Sequence, residues 1–433
     1  MALKIAVIGG GSAYAPGLIT AFLQHADVFG GAELALMDIA VHELGIVHRL
    51  AVRLAKAAGV DIRITATTDQ QQAVAGADFV LTTFRQGGFE ARHLDESVPL
   101  EFGVIGQETI GPGGFFFAMR TLPVIHRLVQ DIHALAPNAV LVNYTNPTQI
   151  VAEAVTHFSD VPCISICDQS LDDQRKILAA MNLRPQVAEL ESVGLNHATW
   201  STRFVVDGVD GVDLMIRHTE NVLSRPDVSS RVKRQFLLTR EYGRVPNSYL
   251  QYYYFREEVL AEALAAPRTR AQEIMASLPD YFRHYQEQSE AETPRLTHVR
   301  GGSVFGDMAV EVLRSLIRGD HQIHTLNVPN RSALPGFAPD RVVEVPARLE
   351  RTAATPLVQE PLAHEVMGPL AMLAEYQWLA ADAIWNGDRG DLDRALSANP
   401  LVLSLTLARQ LLDTIIPLQA DYLPPRVLSS RSL

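Results

Sequence analysis

The sequence predicts an α/β protein: a doubly wound parallel sheet at the N-terminus, fused to a mixed α+β, helix-rich second domain. Three observations carry this. Short apolar runs of strand character alternate with helix-like stretches through the first 190 residues, which is the pattern of a parallel sheet covered on both faces. The first run stops at a glycine turn that opens a helix. The length of 433 residues exceeds what one hydrophobic core usually supports, so two domains are expected, 1–190 and 191–433.

Lys4–Ile8 is an apolar, β-favouring run that ends at Gly9-Gly10-Gly11-Ser12, and Leu18–Leu23 then reads as helix. Leu34–Met37 is a second strand ending in Asp38, followed by the helical stretch Val41–Ala58. Phe79–Thr83 runs to Arg85, and Arg92, Asp95 and Glu96 are read in a loop leading into the glycine-rich stretch Gly103–Gly114. Ala118–Leu135 is helical, Ala139–Asn143 is a strand ending at Asn146-Pro147, and Cys163–Cys167 is a fifth strand before a polar helix start at Asp168–Gln174. Beyond residue 190 the pattern is mixed. Thr202–Val206 reads as strand, Val222–Leu237 and Glu257–Met275 as helices, and Val342–Val345 as a strand cut off by Pro346. The chain after Leu362 is helix-rich.

A formal net charge of −12 argues against a nucleic-acid or anionic-membrane partner, which would need a basic face. No apolar run approaches the roughly 20 residues of a membrane helix, and the opening segment reaches glycine too early for a secretory signal. A cytoplasmic protein is expected. The two cysteines, Cys163 and Cys167, are too few for a disulfide framework.

Gly9, Gly11 and Ser12 match the start of a G-x-G-x-x-G turn, with Tyr14 standing where the third glycine would be. Strand, turn, helix and an acidic residue at the end of the second strand together predict a Rossmann-type dinucleotide site. Asp38 selects NAD over NADP, because a carboxylate repels a 2′-phosphate.

In such folds ligands lie beyond the carboxyl ends of the strands, and those ends are polar here: Arg85, Asn146, Cys167 and Asp168. The glycines around Glu108 are read either as a backbone approaching a ligand closely or as a plain tight loop. Cys167 and His197, in Gly194-Leu195-Asn196-His197, are each more often buried structural residues, but together they offer a thiolate and an imidazole for a divalent ion. Four of eleven tyrosines crowd into Tyr249–Tyr254. A packed aromatic helix accounts for most of that run, while Tyr249, just past Pro246-Asn247, can face a pocket as a proton carrier if a cation lowers its pKa. Arg268 and Arg270 either receive an anion or pair with Glu273 on their own helix, the ion pair being the more ordinary outcome.

These motifs, in this order, resemble glycoside hydrolase family 4, the NAD- and divalent-metal-dependent glycosidases, and most closely its 6-phospho-glucosidase branch. The matching segments are Gly9–Pro16, Arg85–Glu96, Gly103–Arg120, Asn146-Pro147, Cys167-Asp168, Gly194–His197, Pro246–Tyr253 and Arg270. The resemblance implies NAD on Gly9, Gly11, Ser12, Asp38 and Arg85, and a divalent ion, Mn²⁺ first, on Cys167 and His197. It implies Tyr249 as base, Asp168 as general acid, and Arg92, Glu108, Asn146, Asn196 and Arg270 as substrate contacts, with Arg92 and Arg270 on the C6 anion. It further implies a lactate/malate dehydrogenase-like architecture and a homodimer or homotetramer. Ser170 departs from the proline common at that place, and the anomeric preference stays open.

The implied reaction oxidises C3 with NAD, which acidifies the C2 hydrogen. Tyr249 removes that proton, the aglycone leaves from C1, water adds, and the hydride returns to C3. Two alternatives remain: the same chemistry on a sulfonate or carboxylate at C6, since guanidinium groups bind all three anions, and a hydroxyacid-type dehydrogenase that consumes NAD.

Overall fold

The computed structural model describes residues 2–301 and 306–428. Their strands join in one twelve-stranded sheet. β1 (Lys4–Ile8), β2 (Glu33–Met37), β3 (Arg63–Thr67), β4 (Phe79–Thr82), β5 (Val140–Asn143) and β6 (Cys163–Ser165) are parallel, in the order β3-β2-β1-β4-β5-β6. This is the doubly wound dinucleotide-binding order, with its switch point between β1 and β4. The sheet then continues antiparallel. β7 (Ala188–Leu195), β8 (Ala198–Val206), β9 (Val209–Asp210), β10 (Ile323–Pro329), β11 (Val342–Leu349) and β12 (Ala354–Pro356) extend it in the order β10-β11-β7-β8-β9, with β12 beside β11. The junctions are narrow: Asn327 pairs with Ser165, and Glu344 with Gly194. One apolar cluster runs from Ile5 to Val427, so sheet and core are continuous across residue 190.

The five apolar runs of the N-terminal half form β1, β2, β4, β5 and β6. β3 has no counterpart among the expected strands, because it lies at the sheet edge, is mostly exposed or half-buried, and shows no apolar run. The segment read as a loop around Arg92, Asp95 and Glu96 is instead the helix Gly88–Glu101. It starts behind Gly87 at φ +84° and carries Pro99 in its last turn, and its buried residues include Asp95, so no apolar stripe announces it. The next helix, Pro112–Leu135, begins six residues before the expected Ala118, with proline in its first turn and two glycines inside. A Cβ at Gly114 would stand 2.3 Å from the Thr109 carbonyl oxygen, and one at Gly106 2.4 Å from that of Glu96. These glycines therefore serve close contact of backbone with backbone rather than with a ligand.

Val222–Leu237 is divided into two helices, Gly211–Ser224 and Ser230–Tyr242, with Pro226 in the break. Glu257–Met275 is likewise split around Pro267 into Arg256–Ala265 and Arg270–Glu290. Pro346, by contrast, does not end its strand. Its carbonyl accepts from the Leu357 N–H, so its missing donor faces away from the β10 ladder and β11 continues to Leu349. No helix among the described residues is long and apolar enough to cross a membrane.

Candidate active site

The carboxyl ends of β2, β1, β4, β5 and β6 lie side by side and deliver Asp38, the glycine turn, Arg85, Asn146 and Cys167 to one edge of the sheet. At that edge Gly9 has φ +97°, and a Cβ there would come within 2.6 Å of the Thr83 carbonyl, so only glycine fits. Asp38, half-buried, accepts from the N–H of Gly11 at 3.0 Å and of Ala40 at 3.0 Å. Burial raises its pKa, and those N–H groups oppose the rise. The buried Ser12 hydroxyl has no partner among the described residues. A cradle closed to side chains, a carboxylate at the second strand end and an unused hydroxyl fit a dinucleotide.

His197 comes from the other half of the chain. It sits at the tip of the β7–β8 hairpin, where Leu195 pairs with Ala198 and only Asn196 and His197 make the turn. Its φ is +117°, a conformation that costs a side chain about 1–3 kcal/mol and persists where the surroundings impose it. The turn carries His197 Nε2 to within 3.2 Å of Cys167 Sγ. Two donors at that separation can share one ion at roughly 2.0–2.3 Å from each. Among the described residues no third His, Cys, Asp or Glu joins them, so the remaining positions suit ligand or water oxygens.

The hydrogen bonds also settle which nitrogen of His197 is protonated. Gln107 Oε1 accepts from the N–H of Thr109 and of Ile110, at 2.7 and 2.6 Å, which identifies it as the amide oxygen. Being an acceptor only, it takes the Thr109 hydroxyl proton at 2.9 Å. Thr109 Oγ1 must then accept from His197 Nδ1, 3.1 Å away, leaving the Nε2 lone pair directed at Cys167. Burial, with Arg231 nearby, pulls the His197 pKa down to about 3, so the ring is neutral. Burial pushes the Cys167 thiol well up, reinforced by Glu344 and Asp168, so its thiolate needs a cation. Thr109→Val removes the acceptor of Nδ1–H and should weaken Mn²⁺ binding by roughly 10–100-fold with the protein folded. Titration of free Mn²⁺ by electron paramagnetic resonance measures this, and an unchanged affinity would discard the relay.

Tyr249 is placed by β8. Asn247 N–H donates to the Thr199 carbonyl at 2.8 Å, and the Asn247 side chain caps Tyr249 N–H at 3.0 Å. The phenol ring stacks on His197 with centroids 4.2 Å apart and planes 20° from parallel. Arg231 stacks at 4.2 Å from the centroid of the same ring, its Nε donating to Ser248 Oγ at 2.7 Å. Burial raises the Tyr249 pKa and Arg231 opposes the rise. The lowered phenol pKa expected of a proton carrier is thus not produced by the protein groups alone.

Glu108 pairs with Arg85 at 2.7 Å and with Arg92 at 3.2 Å, and Arg92 also holds Glu96. Burial would raise the Glu108 pKa, but the two arginines hold it at about 2. Arg85, expected at the cofactor, is committed to Glu108 and lies over the Phe117 ring. Asp168 stands at the N-cap position of the helix Gln169–Ala180 without a capping side-chain hydrogen bond, and burial raises its pKa against a hydrogen bond from Tyr144. Asn146 holds Thr148 through its side-chain oxygen.

Asn196 is buried, donates to Glu344 Oε2 at 2.8 Å and also reaches the Cys167 thiol, so it stands between the sheet junction and the candidate metal pair. One expected contact is turned elsewhere. Arg270 is two-thirds exposed and pairs with Glu273 at 2.7 Å one helical turn on, the alternative weighed for it from sequence. Only its backbone neighbour reaches inward, Ala271 N–H donating to Glu96. Sequence reasoning missed Arg231, Gln107 and Thr109. Arg231 sits in a run of basic helical residues that reads as a solvated face, while Gln107 and Thr109 flank Glu108 and carry no signal of their own.

Residues 4–183 match the model for family 4 glycosyl hydrolase, and residues 192–402 that for its C-terminal domain. The chain is 34% identical over 431 residues to the probable 6-phospho-beta-glucosidase of Bacillus subtilis (strain 168), covering 98% of this chain and 97% of that protein. It is similar to the 6-phospho-beta glucosidase of Thermotoga maritima solved with manganese, NAD+ and glucose-6-phosphate, with a TM-score of 0.84 and 26% identity over 97% of this chain and 99% of that one. Malate dehydrogenase from Plasmodium falciparum, solved with NADH, shares the fold alone, with a TM-score of 0.52 and 12% identity over 89% of this chain and 100% of that one. The dehydrogenase-like sheet and the paired matches along almost the whole chain lead to one assignment: this chain belongs to family 4 of the glycosyl hydrolases.

Proposed function

We propose that the protein hydrolyses a glucoside carrying an anion at C6, phosphate first, with NAD and a divalent cation, Mn²⁺ first, as cofactors. The observation that carries this is the meeting of Cys167 Sγ and His197 Nε2, 3.2 Å apart, beneath the Tyr249 ring at the dinucleotide edge of the sheet. Relatives named for 6-phospho-glucosides, one solved with manganese, NAD+ and glucose-6-phosphate, support the choice of anion and cofactors.

The turn Gly9–Ser12 with Asp38 would hold NAD, and Cys167 with His197 the cation. When bound, NAD supplies a hydride acceptor and donor for C3 of the sugar, and the cation supplies Lewis acidity at the C2 and C3 oxygens. The chain's own work is proton transfer and orientation. Tyr249 takes the C2 proton through its phenolic oxygen, with Arg231 and the cation favouring its charged form. Asp168, whose pKa is raised by burial, would serve in its protonated form as the acid for the departing aglycone oxygen. Glu108, held ionised, fixes the orientation of Arg85 and Arg92; with Glu96 on Arg92 the four charges balance, so these arginines would recognise an anionic substrate through directed N–H donors and not through net charge.

The test is hydrolysis of the α and β anomers of 4-nitrophenyl 6-phosphoglucoside, beside unphosphorylated and 6-sulfonate glucosides. Release of nitrophenol from one 6-phospho anomer should require both NAD and Mn²⁺ and leave no net NADH. Turnover without NAD, or NADH accumulating in step with product, would overturn the reading.

A further inference from the structure

Four arginines are buried among the described residues. Three are neutralised: Arg120 by Asp95, Arg234 by Glu262 and Arg389 by Asp413. Arg300, 8% exposed, has no carboxylate partner there, and its guanidinium makes no hydrogen bond to a described residue, Nε being wholly buried. With Nε buried without an acceptor and the two terminal nitrogens bonded to no described group, these donors are available to an acceptor that arrives.

Its position says what. The Arg300 N–H donates to the Tyr285 hydroxyl at 3.2 Å, and that hydroxyl donates to the Ala13 carbonyl at 2.8 Å, which ties Arg300 to the glycine turn. The guanidinium lies over the Tyr14 ring at 4.7 Å, at the place where a third glycine would stand, and over Phe89 at 5.0 Å. Phe89 also lies beneath Arg85, at 5.6 Å, on the wall of the crevice. The same turn holds the unpartnered Ser12 hydroxyl, and the helix Ala15–Gln24 that follows it has the N–H groups of Ala15, Gly17 and Leu18 already bonded to the Ser12 and Tyr14 carbonyls. A guanidinium on an aromatic platform, with the unpartnered hydroxyl of the glycine turn, makes a site for a tetrahedral oxyanion.

We propose that Arg300 and Ser12 form the receptor for a phosphoryl group brought into the crevice, either in the dinucleotide or at C6 of the sugar. The sugar arm rests on the function proposed above; the phosphoryl chemistry does not.

The variants Arg300→Gln, Arg300→Lys and Ser12→Ala test this by calorimetric binding without turnover. The probes are NAD alone and glucose 6-phosphate added to the NAD and Mn²⁺ complex. Arg300→Gln should weaken at least one probe by about tenfold or more, Arg300→Lys should lose less on the same probe, and Ser12→Ala should lose affinity for that probe as well. A loss confined to NAD identifies the cofactor's phosphates as the occupant, and one confined to glucose 6-phosphate identifies the substrate's. Both probes binding all three variants within about twofold of the native protein would overturn the proposal. If Arg300→Gln does not fold, Arg300→Lys and Ser12→Ala decide by the same comparison. Because no hydrolysis is read, failure here is separate from failure of the glycosidase reading.

Discussion

Tyr249→Phe should lower kcat by about 10²–10⁴ while leaving the protein folded. The substitution keeps the ring that stacks on His197 at 4.2 Å and lies against Arg231 at 4.2 Å, and removes only the proton-carrying oxygen. The native enzyme working in heavy water should place deuterium at C2 of the released sugar, because a phenol that exchanges with solvent returns a solvent proton to the carbon it deprotonated. Direct displacement at C1 leaves C2 untouched. The measurements are kcat for both proteins and mass or proton spectra of the product. A nearly active Tyr249→Phe together with product free of C2 deuterium would remove both the base assignment and the elimination route.

The second large effect concerns the cation. Cys167→Ser and His197→Ala should each cost more than the roughly 10–100-fold lost with an outer hydrogen-bond partner, because each removes one of two protein donors to the ion. NAD affinity should persist in both, since the glycine turn and Asp38 use neither side chain. Chelation should abolish turnover of the native protein and added Mn²⁺ restore it, whereas neither variant should recover at matched Mn²⁺. Native-like rates in both variants after that cycle would sink the pair as the metal site.

How much of this was legible in the sequence depends on the range over which each feature is decided. The parallel strands were readable because Lys4–Ile8, Phe79–Thr82 and their neighbours are buried on both faces and so are apolar throughout, and the glycine turn because Gly9 alone satisfies the close approach to Thr83. The helix Gly88–Glu101 was not readable, since what it buries includes Asp95, whose partner Arg120 lies on another helix. The proximity of Cys167 and His197 was implied by resemblance and not by spacing.

By itself the sequence determined the α/β class, through the alternation of apolar strands and helices along the first 190 residues, and it pointed to a glycine turn with Asp38 and to residue types able to bind an ion and move a proton. Each rests on residue type and order along the chain. Tertiary structure alone decided that Arg231 rather than any neighbouring basic residue stacks on Tyr249, that Gln107 and Thr109 orient His197, that Asn196 turns to Glu344, and that Arg270 faces outward to Glu273. The physical reason is that a long polar side chain goes wherever packing of distant elements leaves it an oppositely charged or hydrogen-bonding partner, and no local periodicity encodes that choice.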